Sequence, residues 1–351
     1  MKKVSVVAEK TYDVLIDANW KDSLVTAISH RSRAAFIVSK KMRDRISDMP
    51  SIECEIHYFE IPDGEEGKSI KTLMSVWDWL GAAGFTRSDV IVGIGGGATT
   101  DFAGYAAASW LRGIDWIAIP TTVAGMVDAA IGGKTGVNSD YGKNLIGAFH
   151  SPSQVIIDVQ WLETLTDRDF AAGLAEVVKT GFISDVTILD LLDGKNIESV
   201  RKNRELICDL ITRSVEVKAK VVSQDFKESF AREALNYGHT LGHAIELDSK
   251  YSLRHGECVS IGMVFMATLQ KKLGSISEEI YRRHLSILTN LGLPITYSSD
   301  AWPNLLTSMY LDKKSRGSSI RFVTLDGLGK TSRLESPDES VLAQTYAEVS
   351  A

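Results

Sequence analysis

The chain has seven histidines, and three of them, His239, His243 and His255, fall within one short stretch. His239 and His243 are four apart in a segment of helical periodicity, so both imidazoles project from one face. Two imidazoles at that spacing are a common grip on Zn²⁺. The zinc-protease motif needs Glu directly after the first His; Thr240 stands there, so that chemistry is excluded. His255 follows a turn and opens another helix at His255-Gly256-Glu257. The plain alternative is three satisfied polar histidines on a partly buried face, and the scarcity of histidine elsewhere weighs against it. A carboxylate ligand is left open by spacing alone. Glu176, in the helix-like segment Ala171–Ile183, is one of several candidates.

A second chemistry-bearing stretch is Asp89–Gly97, which reads as a strand followed by Gly93, Gly95, Gly96 and Gly97, then a helix from about Ala98. Backbone N–H groups at such a turn can approach a phosphate, and the helix N-terminus adds a favourable partial charge. The match to a dinucleotide fingerprint is weak. Asp115 precedes the Trp116–Ile119 strand instead of ending it, so a strict Rossmann reading fails. Pro120-Thr121-Thr122 ends that strand, where α/β folds place ligand contacts. Gly132-Gly133-Lys134 and Gly142-Lys143-Asn144 follow. Each is by itself an ordinary surface cluster, but together within about fifty residues they favour phosphate binding.

These residues need elements to hold them. Short apolar runs at Val4–Val7, Ala35–Val38, Ile56–Glu60, Val90–Gly93, Trp116–Ile119 and Val155–Asp158 alternate with helical patterns such as Ser69–Ala82 and Thr100–Trp110. That alternation predicts a βαβ architecture with a mostly parallel sheet. From about Asp169 the periodicity becomes helical at Phe170–Ile183, Thr187–Leu192, Arg204–Val222, Arg232–Leu247 and Cys258–Leu273, with one late strand-like piece, Ile320–Leu325. The reading is therefore an α/β Rossmann-like nucleotide-binding domain over 1–167 and a mainly α-helical metal- and substrate-binding domain over 168–351. A length of 351 residues suits two domains.

The three cysteines, Cys54, Cys208 and Cys258, are far apart, which argues against a disulfide framework and for a reducing compartment. The N-terminus meets Glu9 and Lys10 before a signal-peptide core can form, and no apolar run approaches the about 18 residues a membrane helix needs. A cytoplasmic protein is expected. The net charge of −6 sets nucleic acid and anionic membrane aside as partners of the whole surface.

Over essentially its whole length the chain resembles the 3-dehydroquinate synthases, and within them the actinobacterial branch. The matching pieces begin with Asp63-Gly64-Glu65-Glu66-Gly67-Lys68, Gly95-Gly96-Gly97 with Asp101, Arg112-Gly113 and Pro120-Thr121-Thr122. Next come Asp128, Gly132-Gly133-Lys134, Gly142-Lys143-Asn144-Leu145-Ile146-Gly147, Glu176 with Lys179, and Lys218. Arg232-Glu233-Ala234-Leu235-Asn236-Tyr237-Gly238-His239-Thr240, His243, His255-Gly256 and Asp312-Lys313-Lys314 complete the set. The resemblance implies one divalent metal, zinc or cobalt, on Glu176, His239 and His255, with His243 off the metal and at work in the active site. It implies NAD held by Asp63, Gly64, Glu65, Lys68, Gly96, Gly97, Ala98, Asp101, Thr121, Thr122, Lys134, Lys143, Trp161 and Thr164. Many relatives carry an acidic residue for the adenosine ribose where this chain reads Val38-Ser39-Lys40.

The activity so implied converts 3-deoxy-D-arabino-heptulosonate 7-phosphate to 3-dehydroquinate and phosphate. It proceeds by transient oxidation, phosphate β-elimination, re-reduction and aldol closure, with a homodimer as the expected assembly. A small sugar phosphate of high negative charge explains Arg112, Lys134, Lys179, Lys218, Arg232 and Lys313 or Lys314, since charge-assisted hydrogen bonds are the strong kind. Asp128 and Asn144 are expected at substrate hydroxyls or behind them. Arg232 and Asn236, four apart in one helical segment, are expected to face one ligand. The rivals are a glycerol dehydrogenase-type polyol dehydrogenase, a sister sugar-phosphate cyclase, and a catalytically dead binding protein.

Overall fold

The computed structural model describes residues 1–50, 52–226, 231–313 and 320–351. The chain divides into two compact units, Met1–Thr164 with Lys218–Lys227, and Leu165–Val217 with Glu228–Ala351. Among the described residues no helix is long and apolar enough to cross a membrane.

The first unit comprises β1 (Lys2–Val7), β2 (Thr11–Ile16), α1 (Trp20–Ile28), β3 (Arg33–Ser39), α2 (Lys40–Arg45), β4 (Glu55–Ile61), α3 (Ile70–Ala82), β5 (Val90–Gly95), α4 (Gly97–Ser109), β6 (Asp115–Pro120), β7 (Lys134–Ser139), β8 (Gly142–Phe149) and β9 (Gln154–Ile157). Seven strands form one sheet in the order β1-β2-β9-β6-β5-β3-β4. β1 and β2 pair antiparallel, and every other pairing in the sheet is parallel. β5 is buried along its whole length, as a strand covered on both faces must be, which is why its sequence is a continuous apolar run. β2 was not anticipated, although its alternating burial of Tyr12, Val14 and Ile16 follows the period of a half-buried strand. β7 and β8, also unanticipated, form a separate antiparallel hairpin.

Chain order turns back at β3, which has β4 on one side and β5 on the other. In open α/β sheets that reversal leaves a crevice at the carboxyl ends of the strands. Ser39, Gly95 and Pro120 end their strands there, and Thr121 donates its N–H to the Gly95 carbonyl at 2.8 Å.

The second unit holds α5 (Asp167–Ile183), α6 (Val186–Leu192), α7 (Ile197–Arg201), α8 (Arg204–Gln224), α9 (His239–Asp248), α10 (His255–Lys272), α11 (Glu278–Asn290), α12 (Trp302–Lys313), an antiparallel hairpin of β10 (Arg321–Leu325) and β11 (Thr331–Glu335), and α13 (Glu339–Glu348). From Lys218 onward the last turns of α8 group with the first unit. α5 is capped by Thr166, whose side chain accepts from the Asp169 N–H, with Asp167 and Asp169 complementing the helix dipole. It is buried from Phe170 to Ile183, and α10 is buried from Gly256 to Gln270, so these two form the core.

The single helix expected over Arg232–Leu247 is broken. Ala231–Asn236 is a 3-10 turn, and α9 starts afresh after Gly238, whose φ is +78°. A side chain at Gly238 would meet the Met263 nitrogen at 2.8 Å. The left-handed conformation and the close approach both require glycine, and the turn they make resets the register before His239. At about three residues per turn, Arg232 and Asn236 are offset by roughly a third of a turn instead of lying on one face of an α-helix.

Candidate active site and metal centre

Three backbone contacts bring the ligand-bearing helices of the second unit together. A Cβ on Gly256 would lie 1.7 Å from the Ala172 carbonyl oxygen, one on Gly262 would lie 1.9 Å from that of Gly238, and one on Gly242 would lie 3.2 Å from that of Cys258. α10 therefore packs main chain to main chain on α5 and on the start of α9. Glu176 is one turn beyond Ala172 on α5, His255 immediately precedes Gly256, and His239 immediately follows Gly238. The glycines set the distances between the three side chains.

Glu176 Oε1 lies 3.3 Å from His255 Nε2 and 3.5 Å from His239 Nε2. His239 Nδ1 is 3.1 Å from the Tyr237 carbonyl and His255 Nδ1 is 3.1 Å from Glu246 Oε2. A carbonyl and a carboxylate only accept, so each imidazole carries a proton on Nδ1 and turns Nε2 inward. Glu176 is 2% exposed, and its Oε1 makes no hydrogen bond of acceptable geometry. Burial alone would raise its pKa, but Lys179, hydrogen-bonded to Oε2, and His239 hold it well below the usual carboxylate range. A buried carboxylate oxygen without a donor, facing two imidazole nitrogens, is an arrangement a divalent cation completes. The donor set, two nitrogens and one oxygen, fits zinc or cobalt. Glu246 stands behind His255 as a carboxylate does behind a metal-binding histidine, fixing the ring. His243 is exposed on α9, with its ring centroid 5.3 Å from that of His239 and 6.0 Å from that of His255. It also belongs to a second possible ligand group with Glu246 and His255.

In the first unit, Asp63, Gly64, Glu65 and Lys68 follow β4, and Gly96 caps α4 at the end of β5. A Cβ on Gly93 or Gly95 would meet α4 side chains at 2.6 Å, so these two glycines let the helix pack on its strand. That packing aims the N-terminus of α4, with Gly97 and Ala98 in its first turn, along the crevice. Lys68, 3% exposed, donates to Asp101 Oδ2 at 2.9 Å and to Asn144 Oδ1 at 2.5 Å. Burial lifts the Asp101 carboxyl above its ordinary range against the pull of Lys68. Thr122 Oγ1 accepts from the Gly125 N–H at 3.1 Å, opening a π-turn, Gly125–Ala129, that carries Asp128. Lys218 pairs with Asp128 Oδ1 at 2.5 Å. Lys134 begins β7 and Lys143 lies near the start of β8.

Other expected residues lie on other elements. Arg112 is exposed between α4 and β6, at the opposite edge of the sheet from Gly96, the length of a thirteen-residue helix away, or about 20 Å. Trp161 is packed in the core against Trp20, with centroids 5.4 Å apart, and Thr164 Oγ1 donates to the Trp161 carbonyl at 2.7 Å. Arg232 is 2% exposed and Asn236 half-buried. Glu233 is engaged by Arg333 at 2.7 Å and Arg321 at 3.6 Å, which anchors the 3-10 turn to the β10–β11 hairpin. Lys313 ends α12; its side chain, all of Lys314 and Glu228 lie outside the described residues.

Residues 58–172 match the 3-dehydroquinate synthase N-terminal domain and residues 173–315 the 3-dehydroquinate synthase C-terminal domain. A 3-dehydroquinate synthase of Mycolicibacterium vanbaalenii is 47% identical, the alignment covering 99% of this chain and 98% of that one. The chain belongs to the 3-dehydroquinate synthase family. It is an enzyme of that type, a lyase of the shikimate pathway. A 3-dehydroquinate synthase of Paenarthrobacter aurescens is 48% identical over 97% of this chain and 95% of that one, in keeping with the actinobacterial branch. Among solved structures, a 2-epi-5-epi-valiolone synthase from Streptomyces hygroscopicus with NAD⁺ and Zn²⁺ bound superposes with a TM-score of 0.87 at 26% identity, covering 99% of both chains. A probable glycerol dehydrogenase from Sinorhizobium meliloti superposes with a TM-score of 0.68 at 15% identity, over 96% of this chain and 95% of that one. The polyol dehydrogenases thus share the fold, while the synthases share the sequence.

Spacing within the sequence did not single out four further residues that support the site. Glu246, Asn138 and the pair Arg321 and Arg333 act on family residues through long-range contacts. For Glu246, position offers a usable sign, since it is on the same helix as His239 and His243.

Proposed function

We propose that the chain carries out the family's reaction, conversion of 3-deoxy-D-arabino-heptulosonate 7-phosphate to 3-dehydroquinate and phosphate, with the residues described above. The observation that carries the chemistry is the convergence of Glu176 Oε1, His239 Nε2 and His255 Nε2 on one point, behind which Tyr237 and Glu246 fix the imidazoles. When bound, the cation supplies Lewis acidity toward a substrate hydroxyl and NAD supplies a reversible hydride acceptor. The first unit, Met1–Thr164 with Lys218–Lys227, binds NAD, and the second, Leu165–Val217 with Glu228–Ala351, binds the metal; the expected division at 167/168 lies inside α5.

Asp63, Gly64, Glu65, Lys68, Gly96, Gly97, Ala98, Asp101, Thr121, Thr122 and Lys143 hold the nucleotide, the backbone N–H groups at the start of α4 taking its phosphates. Lys179, paired with Glu176 Oε2, faces the substrate. His243, exposed next to the two ligand histidines, moves a proton at a substrate hydroxyl. Arg232 meets the substrate carboxylate with a planar two-pronged donor, supported by Asn236 and Lys313. Asn144 and Lys134 meet the phosphate end, and Asp128 with Lys218 orients a hydroxyl. Phosphate departs from the carbon chain and a carbon–carbon bond closes the ring, so the conversion is redox-neutral. Retention of Arg232 and Asn236 favours the heptulosonate over the carboxylate-free substrates of sister cyclases. The enzyme works in the cytoplasm as a homodimer.

Phosphate release with NAD present at far below the substrate concentration tests this reading. Many turnovers per NAD, abolished by a chelator, are expected. NADH accumulating one-for-one with product identifies a dehydrogenase instead, and faster turnover of sedoheptulose 7-phosphate identifies a sister cyclase.

A further inference from the structure

The geometry points to Asn138 as a positioning residue that ties the nucleotide-holding segment after β4 to the substrate-facing strand β8. The inference rests on the reading above, in which Glu65 and Lys68 meet NAD and Asn144 meets substrate. Asn138 sits where the β7–β8 register shifts, between Val137 and Ser139, and such irregularities re-aim side chains. Its backbone N–H donates to the Lys68 carbonyl at 2.8 Å. Its side chain then works in both directions. Nδ2 donates to Glu65 Oε1 at 2.9 Å, and Oδ1 accepts from the Asn144 N–H at 3.0 Å.

Asn144 has φ of +56°, a left-handed conformation that a residue with a side chain keeps only when its surroundings hold it. Its own Oδ1 accepts from Lys68 Nζ at 2.5 Å, and Lys68 Nζ lies 3.9 Å from Glu65 Oε1. Glu65, Asn138, Asn144 and Lys68 therefore close a circuit. A carboxamide offers a donor to a carboxylate and an acceptor to an N–H from one planar group. The opposite amide orientation would set a carbonyl against the Glu65 carboxylate, so the contacts fix it. One side chain holds both the Glu65 carboxylate and the strained Asn144 backbone. Its loss weakens NAD and substrate binding together.

The experiment uses the full-length, metal-loaded enzyme. NAD Kd is read by titration, substrate KM by phosphate release at saturating NAD, and metal content by atomic spectroscopy. Asn138→Leu removes both contacts and is expected to raise Kd and KM each about tenfold, the scale of losing a hydrogen bond to a charged group, with metal content unchanged. Asn138→Asp keeps the acceptor for the Asn144 N–H but sets a carboxylate against Glu65. It is expected to raise Kd at least as much as the leucine variant while raising KM less. A merely structural role moves both constants in parallel. Glu65→Ala and Asn144→Ala serve as references. If both references leave Kd and KM unchanged, the underlying site reading fails. If they move these constants and Asn138→Leu does not, or if Asn138→Asp moves both equally, the positioning role is overturned. Should the leucine variant not fold, the near-isosteric aspartate variant decides by its split between Kd and KM.

Discussion

Polar groups of the nucleotide-facing edge largely satisfy one another, whereas those of the histidine cluster do not. In the first unit Lys68 bonds to Asp101 and Asn144, Asn138 to Glu65, and Lys218 to Asp128. In the second, Glu176 Oε1 is buried without a hydrogen bond between two inward-facing imidazole nitrogens. The first arrangement is a set of groups that a ligand joins at its edges. The second is a set of acceptors that only a cation completes. Loss of a single side chain should therefore act gradually in one region and abruptly in the other.

The largest expected effect tests the abrupt side. His255→Ala removes one of the three proposed ligands, so metal content and phosphate release should fall together. Losing several kcal/mol of charge stabilisation corresponds to about a thousandfold or more in rate. A variant that keeps its metal and its turnover sinks the assignment of His255. A change one bond further out should be milder. Glu246→Ala leaves His255 in place but unoriented, and metal affinity, followed by Co²⁺ or Zn²⁺ titration, should weaken about 10- to 100-fold. Affinity equal to that of the unaltered enzyme would mean that Glu246 belongs to some other contact.

Arg232→Ala probes substrate recognition in the same unit. A drop of about ten- to a hundredfold in kcat/KM for the heptulosonate phosphate is expected, from about 1.5–3 kcal/mol for a charge-assisted hydrogen bond, with NAD Kd unchanged. A comparable loss in NAD affinity would move Arg232 out of the substrate site.

The smallest effect concerns His284, fully buried, stacked on Phe182 at 3.5 Å, and 3.0 Å from the Tyr237 hydroxyl. Burial pushes its pKa down to about 4. The unfolded chain, with His near its ordinary value, then binds a proton that the folded chain refuses, so stability is full above that ordinary value and is lost as pH falls toward about 4. Between pH 7 and about pH 5.5 the loss should be about 1 kcal/mol. In urea unfolding of the metal-free protein, His284→Gln should lack that component of the slope. An identical pH slope in both proteins would refute it.

Much of this was legible from residue order. Six runs of apolar residues marked sheet strands, and the change to helical periodicity near Asp169 marked the second half, because buried parallel strands and core helices impress their periods on sequence. Gly238 was itself the sign of the break that the Arg232–Leu247 reading missed, since a glycine inside a helical pattern is also a candidate for φ above zero. Glu176 could not be singled out by spacing. Its place beside His239 and His255 depends on a contact between Gly256 and Ala172, more than eighty positions apart, and only the family resemblance named it as a ligand. Asn138 was silent for a related reason, because a register shift in a hairpin leaves no periodic trace.

The contacts of Gly256 on Ala172 and Gly262 on Gly238 have a bearing on which ions the centre admits. Side chains adjust by rotating, but main chains already touching have no slack, so the aperture between Glu176, His239 and His255 behaves as a fixed gauge. Ions that bond at about 2.0–2.2 Å to a few nitrogen and oxygen donors pass it. Calcium, which seeks six to eight oxygens at about 2.3–2.6 Å, is refused on size and on donor number at once. Selectivity is in that sense written in residues that never touch the metal, and a methyl group added at position 256 would enlarge the gauge for every ion alike.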